Sequence, residues 1–114
     1  MNPFYYVLSV NGFLFLFSII FYFFPPKKIN AIYGYRTNKT MKNDTIWVFA
    51  NTFFTKQFLI YSAISLVATL FLAAISKELS WQPMAIMLLS LAVSVIKTEQ
   101  EINKNFDEEG NKLK

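Results

Sequence analysis

The chain has 114 residues, a formal net charge of +4, and neither cysteine nor histidine. Apolar residues make up 54% of it and charged residues 16%, and two long windows carry no charge at all, which is the pattern of an integral membrane protein and not of a soluble core. The absent residue types exclude a disulfide, a thiol nucleophile, a triad with a histidine base and a zinc site of the usual nitrogen and sulfur ligands.

The first apolar segment covers residues 4–24 and is free of charge. At about 1.5 Å of rise per residue it crosses the roughly 30 Å hydrocarbon layer. It lacks a positive leading region and a small-residue cleavage site, so it reads as a retained span. Asn11, Phe15, Ser18 and Tyr22 fall on one stripe with Gly12 beside it. In lipid such a stripe turns toward other helices; a polar ligand site at Asn11 is the alternative.

Pro25 and Pro26 stop the first helix, since proline cannot continue the hydrogen-bond ladder. Lys27 and Lys28 follow at headgroup level. Residues 30–38 predict an ordered loop, with Gly34 supplying positive φ. Thr40 or Asn38 can cap the next helix. Over residues 41–56, Ile46, Phe49, Ala50, Phe53 and Phe54 share one face with Trp47 alongside, and Lys42, Asn43, Thr45, Thr52 and Lys56 oppose them. This predicts an amphipathic helix at the membrane interface, with Trp47 in the headgroup layer.

A second span covers about residues 57–76, with Ser62, Ser65, Thr69, Ala73 and Ser76 as a small-residue stripe. Lys77, Glu78, Leu79 and Ser80 form a short turn, with Ser80 as a cap. The third span, about residues 80–96, has Pro83 in its first turn and the pair Ser90 and Ser94. It is short, and Lys97 snorkels to assist it. The helix then continues outward through Lys97 and Glu101 toward a stop at Gly110. The tail, residues 97–114, reads as solvated and cytoplasmic, with a partner-docking helix as the alternative. The expected architecture is therefore all-α, one membrane domain over residues 1–114 with three transmembrane helices and an interfacial helix in the first loop.

Orientation follows from Lys and Arg. The first loop and the tail together hold ten of the 11, and Lys77 stands alone on the other side. The positive-inside rule places the loop and tail in the cytoplasm and the N-terminus outside. The basic residues thus read as topology and as contacts to anionic lipid headgroups of the bilayer, and nucleic acid is not an expected partner. Five of the seven acids lie in the tail, and no span holds an ionisable group, which argues against proton-coupled transport. No enzymatic activity and no cofactor or metal are expected.

The polar stretch between the first two spans carries a resemblance. Tyr33, Gly34, Tyr35, Arg36 and Thr37, then Thr40, Met41 and Lys42, then Trp47, Ala50 and Asn51, are similar to the motif of the SdpI family of bacterial membrane proteins. The approach through Pro25 to Asn30 fits as well. Longer members often carry a histidine where this chain has Asn51. The resemblance implies a protein of the bacterial inner membrane that gives immunity to a membrane-active peptide toxin by binding. A small accessory subunit of a larger membrane protein complex is the alternative. The candidate binding residues are Asn30, Tyr33, Gly34, Tyr35, Arg36, Thr37, Trp47 and Asn51. Arg36 is the only arginine; its planar fork suits two-point contact with phosphate or carboxylate, or with helix-end carbonyls as a clamp within the fold.

Overall fold

The computed structural model describes residues 2–30, 32–76 and 78–113; Lys77 of the expected turn and Lys114 of the tail lie outside them. Among the described residues the regular structure is helical, in three long elements. Helix α1 runs Pro3–Phe23, α2 Asp44–Ile75 and α3 Gln82–Asn105. Helix α1 opens on Pro3, with Asn2 Oδ1 accepting from the Phe4 amide at 2.9 Å, and contains a π-helical turn at Leu8–Gly12. It ends at Phe23, ahead of Pro25 and Pro26, as the ring sterics of proline require.

Among the described residues two helices are long and apolar enough to cross a membrane, α1 and α2. The apolar part of α3 is shorter, ending at Ile96 before Lys97. It packs along α2 in the most extensive helix contact of the fold.

The expected interfacial helix at residues 41–56 is not a separate element. Residues 44–56 are the first turns of α2, and there is no break at 56–57. The reason is visible in spacing. Ile46, Ala50, Phe54, Phe58, Ser62, Ser65, Thr69 and Ala73 are all buried, and their steps of three and four make one uninterrupted face. The cap is Asn43, whose Oδ1 accepts from the Ile46 amide at 3.0 Å, and not Thr40 or Asn38. Trp47, expected to face the headgroup layer, has its side chain fully buried within the protein.

The helices are organised inside out. Ser62, Ser65, Thr69, Ser90 and Ser94 face inward, while Ile60, Ile64, Val67, Phe71 and Ile75 of α2 and Leu88, Leu89, Val95 and Ile96 of α3 face outward. Lipid provides no hydrophobic drive between helices, so close contact and polar bonds must hold them. Asn11 Nδ2 donates to Ser65 Oγ at 2.8 Å and to the Pro83 carbonyl at 3.2 Å, tying α1 to both other helices. Ser62 Oγ donates to Ser18 Oγ at 2.7 Å. On α1 the inward residues are Val7, Asn11, Ser18 and Phe21, whereas Tyr22 of the expected stripe is exposed.

The apolar core gathers at the other end, around the first loop and the end of α3. It comprises Phe21, Tyr35, Ile46, Ala50, Phe54, Phe58, Ile102 and Phe106. That end also carries most of the chain's charged residues. The tail is folded there, contrary to the expectation of a solvated segment. Phe106 bridges Lys112, and the Phe106 ring meets Phe49 edge-on at 5.2 Å. Lys39 Nζ donates to Asn103 Oδ1 at 2.9 Å and to the Phe106 carbonyl at 3.2 Å, and Asn43 Nδ2 donates to the Gly110 carbonyl at 2.9 Å.

Asp107 closes the tail turn: its Oδ1 accepts from the amides of Asn111 at 2.8 Å and Glu109 at 2.9 Å. The Asn111 bond, the Glu109 bond and the charge of Lys39 hold its carboxyl below the usual range. A lowered folded pKa gives stability that is present above the unfolded value of about 3.9 and is lost as pH falls through the folded one. The amide chemical shifts of Glu109 and Asn111 are therefore expected to hold steady from about pH 8 down to pH 5 and to move only in stronger acid. Asp107→Asn should remove that acid transition, as NMR of the protein in micelles can read.

Candidate functional site

The first loop is a knot tied mainly by its own motif. Asn51 on α2 is 1% exposed and holds both backbone groups of Tyr35. Its Oδ1 accepts from the Tyr35 amide at 2.6 Å, and its Nδ2 donates to the carbonyls of Tyr35 at 3.3 Å and Trp47 at 3.0 Å. One carboxamide thus does for Tyr35 what a neighbouring strand would do. Trp47 Nε1 donates to the Pro26 carbonyl at 2.9 Å, which fastens the chain leaving α1 to the start of α2.

Gly34 lies between these two ties at φ +117. A Cβ there would sit 2.6 Å from Pro26 Cγ and 2.8 Å from Asn51 Oδ1. Both the conformation and the space demand glycine.

Threonines close the far side of the loop. Thr40 is fully buried; its Oγ1 accepts from the Thr37 amide at 2.8 Å and donates toward the Tyr35 carbonyl at 3.2 Å. Thr37 Oγ1 in return accepts from the Thr40 amide at 3.1 Å. On the near side, Asn30 Oδ1 accepts from the amides of Ile32 at 3.0 Å and Tyr33 at 2.6 Å. Tyr33 stacks on Phe21 with centroids 4.6 Å apart, and its hydroxyl donates to the Phe24 carbonyl. Burial raises the pKa of that hydroxyl.

Tyr35 packs its ring against Phe54 at 4.9 Å and donates its hydroxyl to Glu99 Oε1. Burial, then the bond to Glu99 and its charge, push the Tyr35 hydroxyl well above its ordinary value. It therefore remains a protonated donor throughout the physiological range. The bond joins the loop to α3 at the point where that helix becomes charged.

Of the candidate residues, Asn30, Tyr33, Gly34, Tyr35, Thr37, Trp47 and Asn51 are brought together in this knot. Arg36 is exposed on its surface, with Asn38 and Lys42. Sequence reasoning missed Glu99, which looked like one of several solvated tail acids, and Thr40, which looked like a helix cap. It also missed Lys39, whose ammonium clasps the tail. A signal for Glu99 was available: it is the first acid after the third apolar segment, two residues past Lys97. Among the described residues no three His, Cys, Asp or Glu side chains cluster as metal ligands. The site consists of amide, hydroxyl and cationic groups with one carboxylate, Glu99, held by Tyr35, and is suited to hydrogen bonding.

The family model described as SdpI/YfhL protein family matches residues 27–98, which take in the loop, all of α2 and most of α3. The chain is similar to the uncharacterized protein YfhL of Bacillus subtilis (strain 168), with 40% identity over 43 residues, 38% of this chain and 39% of that one. The likeness therefore spans about two fifths of that relative's length. No solved structure matches the chain. With the family model covering well over half of its residues, and with two helices fit to cross a bilayer, the chain belongs to the SdpI/YfhL protein family.

Proposed function

We propose that this is an SdpI-like protein of the bacterial cytoplasmic membrane that protects the cell against a membrane-active peptide toxin by binding it. The N-terminus lies outside and the first loop and tail inside, as the distribution of lysine and arginine favours. Helix α3 is the third crossing: its outward Met84, Leu88, Leu89, Val95 and Ile96 are as exposed as the outward residues of α1 and α2, and Lys97 reaches the headgroups.

The observation that carries the reading is the exposed position of Arg36 on a fixed loop. Asn51 and Trp47 tie the backbone on either side of Gly34, and Arg36 stands exposed on that base. A preorganised guanidinium binds a carboxylate or phosphate at two points with little ordering cost.

The test compares wild type, Arg36→Lys and Arg36→Ala for membrane abundance and for survival under a membrane-permeabilising peptide. Both variants are expected at normal abundance with protection largely lost, because lysine keeps the charge and loses the fork. Loss of a charged hydrogen bond of about 1.5–3 kcal/mol weakens binding about tenfold or more. Full protection by the alanine variant at normal abundance removes the reading. Unchanged survival with one large protein co-purifying supports an accessory subunit instead.

A further inference from the structure

The knot leaves one large apolar side chain in the open. Ile32 is 89% exposed, the highest value among the exposed large hydrophobic residues. Its amide is pinned to Asn30 Oδ1 at 3.0 Å, and Asn30 Nδ2 is bonded to the Lys28 carbonyl at 3.1 Å. The isoleucine is thus displayed by a built turn. The position of that turn is fixed by its neighbour. Tyr33 stacks on Phe21 and bonds the Phe24 carbonyl, so the chain folds back onto the last turn of α1. Phe23 and Phe24 at that level are themselves exposed, as residues facing lipid are. Lys27 and Lys28, both exposed, lie between α1 and the turn.

We propose that this turn is a bilayer anchor, with Ile32 inserted at the border of headgroups and acyl chains and Lys27 and Lys28 seated among anionic headgroups. The occupant is the membrane's own anionic leaflet. An apolar side chain flanked by lysines matches that interface, with carbon inward and charge at the phosphates. The fold-back of Tyr33 onto Phe21 and Phe24 brings the turn to the depth where that leaflet begins.

The absence of cysteine allows a direct test with the full chain in bilayers. Ile32→Cys and, as a control, Asn38→Cys are labelled with an environment-sensitive fluorophore. They are reconstituted in phosphatidylcholine, with and without phosphatidylglycerol, containing lipid nitroxide quenchers. The label at 32 is expected to be blue-shifted and quenched by a nitroxide near the top of the acyl chain, while the label at 38 is not. Lys27→Gln with Lys28→Gln should lower the inserted-to-free ratio at 32 in phosphatidylglycerol bilayers, about fivefold per charge, and leave it unchanged in neutral ones. A label at 32 as water-like as the one at 38 overturns the proposal. So does a shielded label that no lipid nitroxide reaches, which assigns Ile32 to a protein partner or a second copy. Equal insertion in all bilayers with and without the lysines overturns it too, since the leaflet's charge would then play no part.

Discussion

Gly34→Ala is expected to leave little folded protein in the membrane. The backbone there is at φ +117, where a side chain costs about 1–3 kcal/mol in strain. The new methyl would also stand 2.6 Å from Pro26 Cγ and 2.8 Å from Asn51 Oδ1, inside contact distance of both. Neither neighbour can retreat easily. Pro26 is held by its carbonyl to Trp47, and Asn51 is held at Tyr35 and Trp47. The substitution therefore attacks both ties of the loop at once. Gly12→Ala is the control. Its added methyl would lie 3.8 Å from the nearest atom, in ordinary contact, and alanine suits a helix better by about 1 kcal/mol. Membrane abundance and melting in detergent should separate the two variants plainly. Equal behaviour would mean the loop is not fixed as described.

Asn51→Leu should be nearly as damaging. The side chain keeps its number of heavy atoms, becomes somewhat bulkier, and loses all three of its hydrogen bonds. The carbonyls keep other partners, since Thr40 reaches the Tyr35 carbonyl and the Trp47 carbonyl lies within the turns of α2. The Tyr35 amide is left stranded in a buried place, at a cost of about 1–3 kcal/mol beyond the bonds themselves. Asn51→Asp should give no rescue. It keeps an acceptor for the amide but brings a buried negative charge against two carbonyl oxygens. Thermal stability in detergent reads both, and faster exchange at the Tyr35 amide reads the local loss. A leucine variant with unchanged exchange at that amide would show that Asn51 is not its partner.

The helices were legible in the sequence because lipid makes the rule simple: long uncharged runs with small residues on one side. Of the stripe Ser62, Ser65, Thr69, Ala73 and Ser76, the first four are buried, while Ser76 is half-buried at the C-cap of α2. The division between an interfacial helix and a span was misread because composition changes near Lys56 while the buried face does not. Ile46, Ala50 and Phe54 continue in register into Phe58 and Ser62, and register decides where a helix ends more than polarity does. Trp47 was misplaced for a related reason. A tryptophan near a membrane border has two satisfactory positions, and only the Pro26 carbonyl, distant in sequence, selects the buried one. The loop residues were recognisable by type, and Gly34 by its needs. Their partners were not, since Asn51 and Glu99 meet Tyr35 across separations of 16 and 64 residues. Phe21 and Tyr22 each lie one helical step from inward Ser18, and Phe21, stacked on Tyr33 of the loop, is the one that turns inward.

The unbroken length of α2 makes it a lever. Its 32 residues give a rod of about 48 Å against a hydrocarbon layer of about 30 Å. If its C-terminal turns fill that layer, roughly 18 Å at the other end would stand clear of the lipid as an arm, carrying Trp47 and Asn51, the two posts to which the loop is lashed. A lean of about 10°, well within the range common for such helices, would sweep the end of that arm by about 3 Å. Thickness of the bilayer, or anything wedged against the outer face of α2, would thereby be translated into displacement of Arg36 relative to the headgroups beneath it.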